Sequence, residues 1–172
     1  EGGSPADEAR VLMAMGDLEK DTFQWDAAAS YFREGRRLWA MVPKPKSDFH
    51  VLLKLETVVS VSEGEDAAWA VLDQASLIFD NIGDIDGLGD VAILRADLYW
   101  TLGDIHAALS DYRKAASLYQ SAGNRQREAL AVVRAAEFEV LEGHNVEALV
   151  LLERAESIFA DVEDPIGPAL AL

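Results

Sequence analysis

The sequence contains no cysteine among its 172 residues, which excludes disulfides, thiolate metal sites and cysteine nucleophiles. Cations are also scarce, since 15 Lys and Arg face 31 Asp and Glu and the formal net charge is −16. Proteins that bind nucleic acid or anionic membranes depend on cations to neutralise phosphates. The charge balance therefore disfavours both classes of partner.

Long apolar runs are missing as well. No stretch approaches the ~20 apolar residues that a membrane-spanning helix needs, and no signal peptide is recognisable. Hydrophobic residues nevertheless make up 50% of the chain, which is enough for one well-packed domain. We therefore expect a cytoplasmic protein with a hydrophobic core.

A repeat of forty residues runs through the chain. Four positions of the repeat, which we call columns, each hold residues of one size class in four successive units. The two small columns are Ala28, Ala68, Ala108 and Ala148, and Gly35, Ala75, Ala115 and Ala155; the two large columns are Phe32, Leu72, Tyr112 and Leu152, and Trp39, Phe79, Tyr119 and Phe159. Neighbouring columns are three or four residues apart, which places them on one face of a helix.

A second helical pattern precedes each of these stripes, and turn glycines Gly64, Gly103 and Gly143 separate the two helices in three of the units. No segment shows the alternation of a strand. We predict an all-α chain of antiparallel helix pairs, with the start of a ninth helix. The predicted divisions are a linker or disordered segment at 1–9, helix pairs at 10–41, 48–81, 87–121 and 125–161, and a further repeat beginning in 163–172.

The repeat resembles the tetratricopeptide repeat family. The third unit carries the family's relative spacings at Ala96, Tyr99, the Gly103–Asp104 turn, Ala108, Tyr112 and Ala115. The fourth unit departs from them with Glu139, where Tyr is usual. The forty-residue length is similar to the extended repeats of kinesin light chains and of large bacterial signalling proteins. The resemblance covers about residues 10 to 162, and it implies a right-handed α-solenoid that serves as a non-enzymatic scaffold for peptides or proteins.

In this family the first helix of each pair lines a concave groove, and the resemblance implies which residues would bind a peptide here. They are Leu53, Ile93, Asp97, Trp100, Val133, Glu137 and Val140. Ile93 and Val133 belong to an apolar column, and Asp97 and Glu137 to a mostly acidic one. Such a strip suits a basic or amphipathic segment. The alternative is that the apolar column packs between helices while the acids are solvated.

No motif indicates catalysis, a cofactor or a metal. The three histidines, His50, His106 and His144, each lack a second ligand at metal-binding spacing, and no nucleophile elbow is present. We therefore expect a protein that is not an enzyme. The alternative function is a domain of a larger bacterial regulatory protein that senses a ligand or signalling peptide. A third is a structural spacer.

Two further expectations concern single segments. The stretch DNIGDIDGLGD, residues 80–90, fails the EF-hand spacing in both registers, so we predict a joint whose glycines end one helix and whose aspartates begin the next. The apolar PALAL near residue 172 predicts an apolar terminal face that supports self-association.

Overall fold

The structure is a computed structural model that describes residues 4–39, 41 and 63–162. All regular secondary structure in the described residues is α-helical. Where no undescribed segment separates two consecutive helices, a loop of two or three residues joins them. The helices are α1 (Pro5–Asp21), α2 (Trp25–Trp39), α3 (Glu65–Ile82), α4 (Ile85–Thr101), α5 (Ile105–Ala122), α6 (Arg125–Leu141) and α7 (Asn145–Asp161). The predicted helix at 48–63 and the predicted repeat start at 163–172 lie outside the described residues.

Helix α1 begins at Pro5, before residue 10 where the apolar pattern predicted its start. The Ser4 hydroxyl oxygen accepts a hydrogen bond from the Asp7 backbone N–H, and Pro5 occupies a position at which a missing N–H costs nothing. A capping residue followed by proline therefore starts the helix earlier, and the added turn buries Ala9 against Leu38 and Trp39.

The joints between helices contain residues in the left-handed backbone conformation. Gly64, Gly83, Gly103, Gly123 and Gly143 have φ between +70° and +90°, a conformation that glycine adopts without steric cost. The joint between α1 and α2 has no glycine, and Phe23 takes a φ of +60° there. The first unit thus builds the same kind of turn from a residue poorly suited to it.

The chain divides into two compact units, Glu1–Phe79 and Asp80–Leu172. In the first unit α1 packs against α2, and Ala28, Ala29 and Phe32 form a fully buried core. Gly16 lets the two helices approach closely, because a Cβ atom there would lie 2.5 Å from the Phe32 ring.

In the second unit each helix from α4 to α7 packs against the next. The columns of the repeat form its core, since Ala108, Tyr112, Ala115 and Tyr119 are all at most 3% exposed. The regular alternation of small and large residues in the sequence therefore corresponds to helices that pack closely beside aromatic rings.

The aspartate-rich stretch contains the start of α4. The Asp84 carboxylate accepts a hydrogen bond from the Gly87 backbone N–H at 3.0 Å, and Gly83 terminates α3. Gly87 and Gly89 do not end a helix as predicted; both are buried inside α4. Gly89 is required there for packing, because a Cβ atom would lie 2.6 Å from the Tyr119 ring.

The outward face of α7 is apolar. Val146 lies three and four residues before Leu149 and Val150, and all three side chains are more than half exposed. The predicted self-association through this end of the chain stays a prediction. None of the described helices is both long enough and apolar enough to cross a bilayer.

Candidate functional site

A groove of about 570 Å³ lies in the second unit between α4 and α6, the first helices of two successive pairs. Its apolar lining comes from Ile93 on α4 and from Leu130, Ala131 and Val133 on α6. Leu130 is 42% exposed. Ile93 and Val133 also pack against the buried core. These two side chains therefore fill the space between helices and also line the groove, and their part in peptide binding stays a prediction.

One end of the groove is formed by three side chains, which we call the Asp90 triad: Asp90, Tyr119 and Arg127. The Asp90 carboxylate accepts hydrogen bonds of 2.6 Å from the Tyr119 hydroxyl and 2.6 Å from Arg127 Nη1. Arg127 Nη1 also donates to Asp86 at 3.1 Å, and its guanidinium carbon lies 5.7 Å from the Tyr119 ring centroid. The arginine is thereby held against the groove by two carboxylates and an aromatic face.

A second charged group, the Asp97 group, consists of Asp97, Tyr112, Arg134 and Glu137. The Tyr112 hydroxyl donates to Asp97, and Arg134 Nη1 donates to Glu137 at 3.0 Å. Arg134 and Glu137 line the groove. The Asp97 group therefore repeats the combination of acid, tyrosine and arginine found in the Asp90 triad.

The two charged groups are related by a shift of seven residues on each helix. Asp90 and Asp97 lie on α4, Tyr119 and Tyr112 on α5, and the two arginines on α6. Seven residues are about two helical turns, or roughly 10.5 Å along a helix axis. The groove is thus an apolar strip with similar hydrogen-bonding groups near both of its ends.

The electrostatic environment keeps the two tyrosines and the two arginines of these groups protonated. Burial raises the pKa of the Tyr112 and Tyr119 hydroxyls, and the hydrogen bonds to Asp97 and Asp90 raise it further. Burial alone would lower the pKa of Arg127, but the hydrogen bond and charge of Asp90 outweigh it and the net pKa is raised. The hydrogen bond to Glu137 is the main cause of the raised pKa of Arg134.

The predicted peptide-binding residues are only partly brought together. Ile93, Val133 and Glu137 line the groove, whereas Asp97 is not among the lining residues and accepts a hydrogen bond from Tyr112. Trp100 and Val140 lie one turn further along their helices, 47% and 52% exposed. The Trp100 ring stands edge-on to Phe138, with centroids 5.2 Å apart. Leu53 lies outside the described residues.

The sequence interpretation did not place Arg127 or Tyr119 at the groove, and it did not name Arg134 among the peptide-binding residues. It described the column beside the apolar strip as mostly acidic, but two arginines line the groove together with the acids. The signal was present as a seven-residue spacing between like residues on three helices. That spacing becomes informative only when the three helices are known to be neighbours.

Metal binding finds no support in the part of the chain that is described. No three His, Asp or Glu side chains within residues 4–39, 41 and 63–162 are grouped so that they could hold a metal ion. The groove instead offers apolar surface and hydrogen-bonding groups of both signs.

The fold is shared with several solved structures. Aspartyl phosphate phosphatase F from Bacillus subtilis matches with a TM-score of 0.85 at 9% identity, over 99% of this chain and 45% of that one. A Rap protein complexed with competence and sporulation factor matches with a TM-score of 0.78 at 15% identity, over 94% of this chain and 45% of that one. The chain thus spans less than half the length of these two proteins.

A kinesin light chain with nearly identical TPR-like repeats, from Podosopora anserina, matches with a TM-score of 0.71 at 15% identity, over 97% of this chain and 82% of that one. No protein-family model and no curated protein sequence matches the chain. At these identities the likeness shows the fold alone. It confirms the predicted class, an all-α solenoid of tetratricopeptide-like helix pairs.

Proposed function

We propose that this chain is a protein-interaction scaffold that binds a peptide or protein segment in the groove between α4 and α6. The observation that supports the proposal is the groove itself, with an apolar strip between two polar groups. Apolar surface provides binding energy, and a few fixed polar groups provide orientation. The structural likeness to helical-repeat proteins agrees with a scaffold role.

The charge of the groove favours a basic or amphipathic partner. In the lining itself, the carboxylates of Asp90 and Glu137 balance the guanidiniums of Arg127 and Arg134. Asp86 and Asp97, which are hydrogen-bonded to Arg127 and Tyr112 beside the groove, add two negative charges. The net charge of −16 adds to this potential over longer distances. A segment that carries Lys or Arg on either side of an apolar residue would match this arrangement.

Peptide binding with two model peptides tests the proposal. One peptide alternates Lys and Leu, and the other alternates Glu and Leu. We expect fluorescence anisotropy to detect binding of the Lys/Leu peptide only. Glu137→Lys reverses an exposed charge of the groove, and Leu130→Asp polarises its exposed apolar residue. Each change should weaken binding of the Lys/Leu peptide about tenfold or more, which corresponds to about 1.4 kcal/mol.

Matched controls separate the groove from the general acidity of the surface. Glu147→Lys makes the same charge change on α7, and Leu149→Asp polarises an even more exposed leucine there. Both variants should bind the Lys/Leu peptide like the parent chain. Equal losses in the control and groove variants would show that the peptide binds nonspecifically, and the groove proposal would then be rejected.

A second candidate function is a sensing domain of a larger regulatory protein, which would hold a signalling peptide in the same groove. It is supported by the likeness to a Rap protein complexed with competence and sporulation factor, a protein more than twice the length of the matched region. The two functions differ in the occupant. A sensor should prefer a short free peptide, whereas a scaffold should bind equally well when the same peptide is inserted into a loop of a folded carrier protein.

A further inference from the structure

We propose that the second unit carries a separate binding site for a phosphate-type oxyanion, on the face formed by the second helices α5 and α7. A cavity of about 250 Å³ lies there, and its polar lining consists of Arg113, Ser117 and Arg154. Ala116 and Ala135 supply small walls. The cavity shares no lining residue with the groove between α4 and α6, so it extends beyond the proposed function.

Buried carboxylates hold both arginines in place. Arg154 Nη2 donates to Glu128 at 2.7 Å, and Arg113 Nη2 donates to Glu139. Glu128 and Glu139 are 0% and 1% exposed, although both belong to α6 between the two arginine helices. The arginine side chains themselves are 42% and 54% exposed. Each guanidinium is therefore anchored from below while its outer edge faces solvent.

Other partners of the two glutamates complete this arrangement. Arg125 Nη1 donates to Glu128 at 2.6 Å, and the His144 ring nitrogen Nδ1 lies 2.9 Å from Glu139. Each buried carboxylate thus has a second partner besides its cavity arginine. Each cavity arginine donates from Nη2 to its glutamate, and the other N–H groups of its five-donor guanidinium are available for a ligand.

The arrangement is specific to this place in the repeat. Forty residues earlier, Tyr99 and Leu88 stand at the positions of Glu139 and Glu128. Asp73, Leu77 and Lys114 likewise stand at the positions of Arg113, Ser117 and Arg154. These residues depart from a repeat that is otherwise regular, and the departure buries two charges. Such departures are expected where a function requires them.

The chemistry of the three polar groups fits a tetrahedral oxyanion. Each guanidinium is a planar fork with five N–H donors, suited to two oxygens of one phosphate. The Ser117 hydroxyl donates to the Arg113 carbonyl at 3.2 Å and lies at the cavity surface, so it can turn toward a third oxygen. Because the glutamates offset part of the positive charge, binding depends on short hydrogen bonds more than on a long-range field.

Titration of the 172-residue chain with inorganic phosphate tests the site, at constant ionic strength maintained with sodium chloride. Two-dimensional NMR of the arginine Nε–Hε groups reports on the ligand directly. We expect saturable shifts of the Arg113 and Arg154 signals with phosphate and none with chloride alone. A short peptide with one phosphoserine forms a second arm, and tighter binding of this peptide than of inorganic phosphate would identify a phosphorylated protein as the source.

Three variants make the result decisive. Ser117→Asp places a carboxylate between the arginines and should weaken phosphate binding at least tenfold. Arg113→Met combined with Glu139→Met removes one guanidinium without leaving its buried partner unpaired, and should weaken binding by a similar factor. Lys114→Gln, on the same helix but outside the cavity lining, is the matched control and should leave binding unchanged. Binding that is insensitive to the first two changes, or equally sensitive to the third, would overturn the proposal.

Discussion

The third and fourth helix pairs, α4–α5 and α6–α7, share the same repeat pattern but complete their cores with different chemistry. In α6 two fully buried positions hold Glu128 and Glu139, whereas α4 has Leu88 and Tyr99 at the same register. The difference shows that the repeat specifies the size of the residues in its columns, while the positions beside them are free to exchange apolar packing for ion pairs.

The largest expected effect comes from breaking the ion pair between Glu139 of the fourth pair and Arg113 of α5. Arg113→Met leaves the buried Glu139 with His144 as its remaining partner, and we expect a loss of about 3 kcal/mol in the free energy of unfolding by urea. Adding Glu139→Met should restore stability to within about 1 kcal/mol of the parent chain. A double variant no more stable than the single one would show that the ion pair itself, and not the unpaired charge, determines stability.

A second comparison concerns the closest approach of the helices. Gly89 faces the Tyr119 ring in the third pair, and Ala129 takes its place opposite Phe159 in the fourth. Gly89→Ala should destabilise the chain by about 2 kcal/mol, because overpacking outweighs the better helix propensity of alanine. Ala129→Gly should lose about 2 kcal/mol, about 1 from helix propensity and about 0.8 from the buried methyl group. Thermal unfolding of both variants checks this, and a stabilised Gly89→Ala variant would contradict the close contact.

Alkaline pH should lower the stability of the third pair, because Tyr112 and Tyr119 stand at the positions that Leu152 and Phe159 occupy in the fourth pair. The pKa values of both hydroxyls are raised in the folded state, so their contribution is fully present below the unfolded pKa of about 10. Above that value the unfolded chain loses these protons first. Stability should then fall by up to about 1.4 kcal/mol per pH unit for each tyrosine.

The variants Tyr112→Phe and Tyr119→Phe test this origin of the alkaline sensitivity. Each substitution should make the fall of the unfolding free energy with pH less steep above pH 10. Tyr31→Phe is the control, because Tyr31 lies in α2 and its hydroxyl is not part of the groove. An unchanged slope in the Tyr112 and Tyr119 variants would assign the alkaline effect to other groups.

The smallest expected effect concerns the start of the second helices. The Asp104 carboxylate accepts a hydrogen bond of 2.9 Å from the Ala107 backbone N–H, whereas His144 at the same register of the fourth pair makes no such cap. Asp104→Ala should therefore cost about 1 kcal/mol. Hydrogen exchange of the first amides of α5 would locate the change. No faster exchange at those amides would mean that the cap contributes nothing measurable.

The fold was largely predictable because its signals are local. Residues three and four apart define a helical face, and a glycine with positive φ defines a joint, so the forty-residue pattern predicted the helix pairs and their class. The exceptions came from features outside the pattern. Pro5 started α1 early through a cap, and Gly89 proved to be a packing residue because only the Tyr119 ring opposite it reveals the need for glycine.

The candidate site was less predictable because it depends on which helices become neighbours. The sequence by itself determined that Ile93 and Val133 hold the same position in the forty-residue repeat and that Asp97 and Glu137 follow four residues later. Only the tertiary structure placed Arg127 of α6 across from Asp86 and Asp90 of α4, and Arg113 and Arg154 above two buried glutamates. Periodicity is a property of one helix, whereas the pairing of charges arises between helices that lie far apart in the chain. That is why the sequence determined the scaffold and the tertiary structure decided its chemistry.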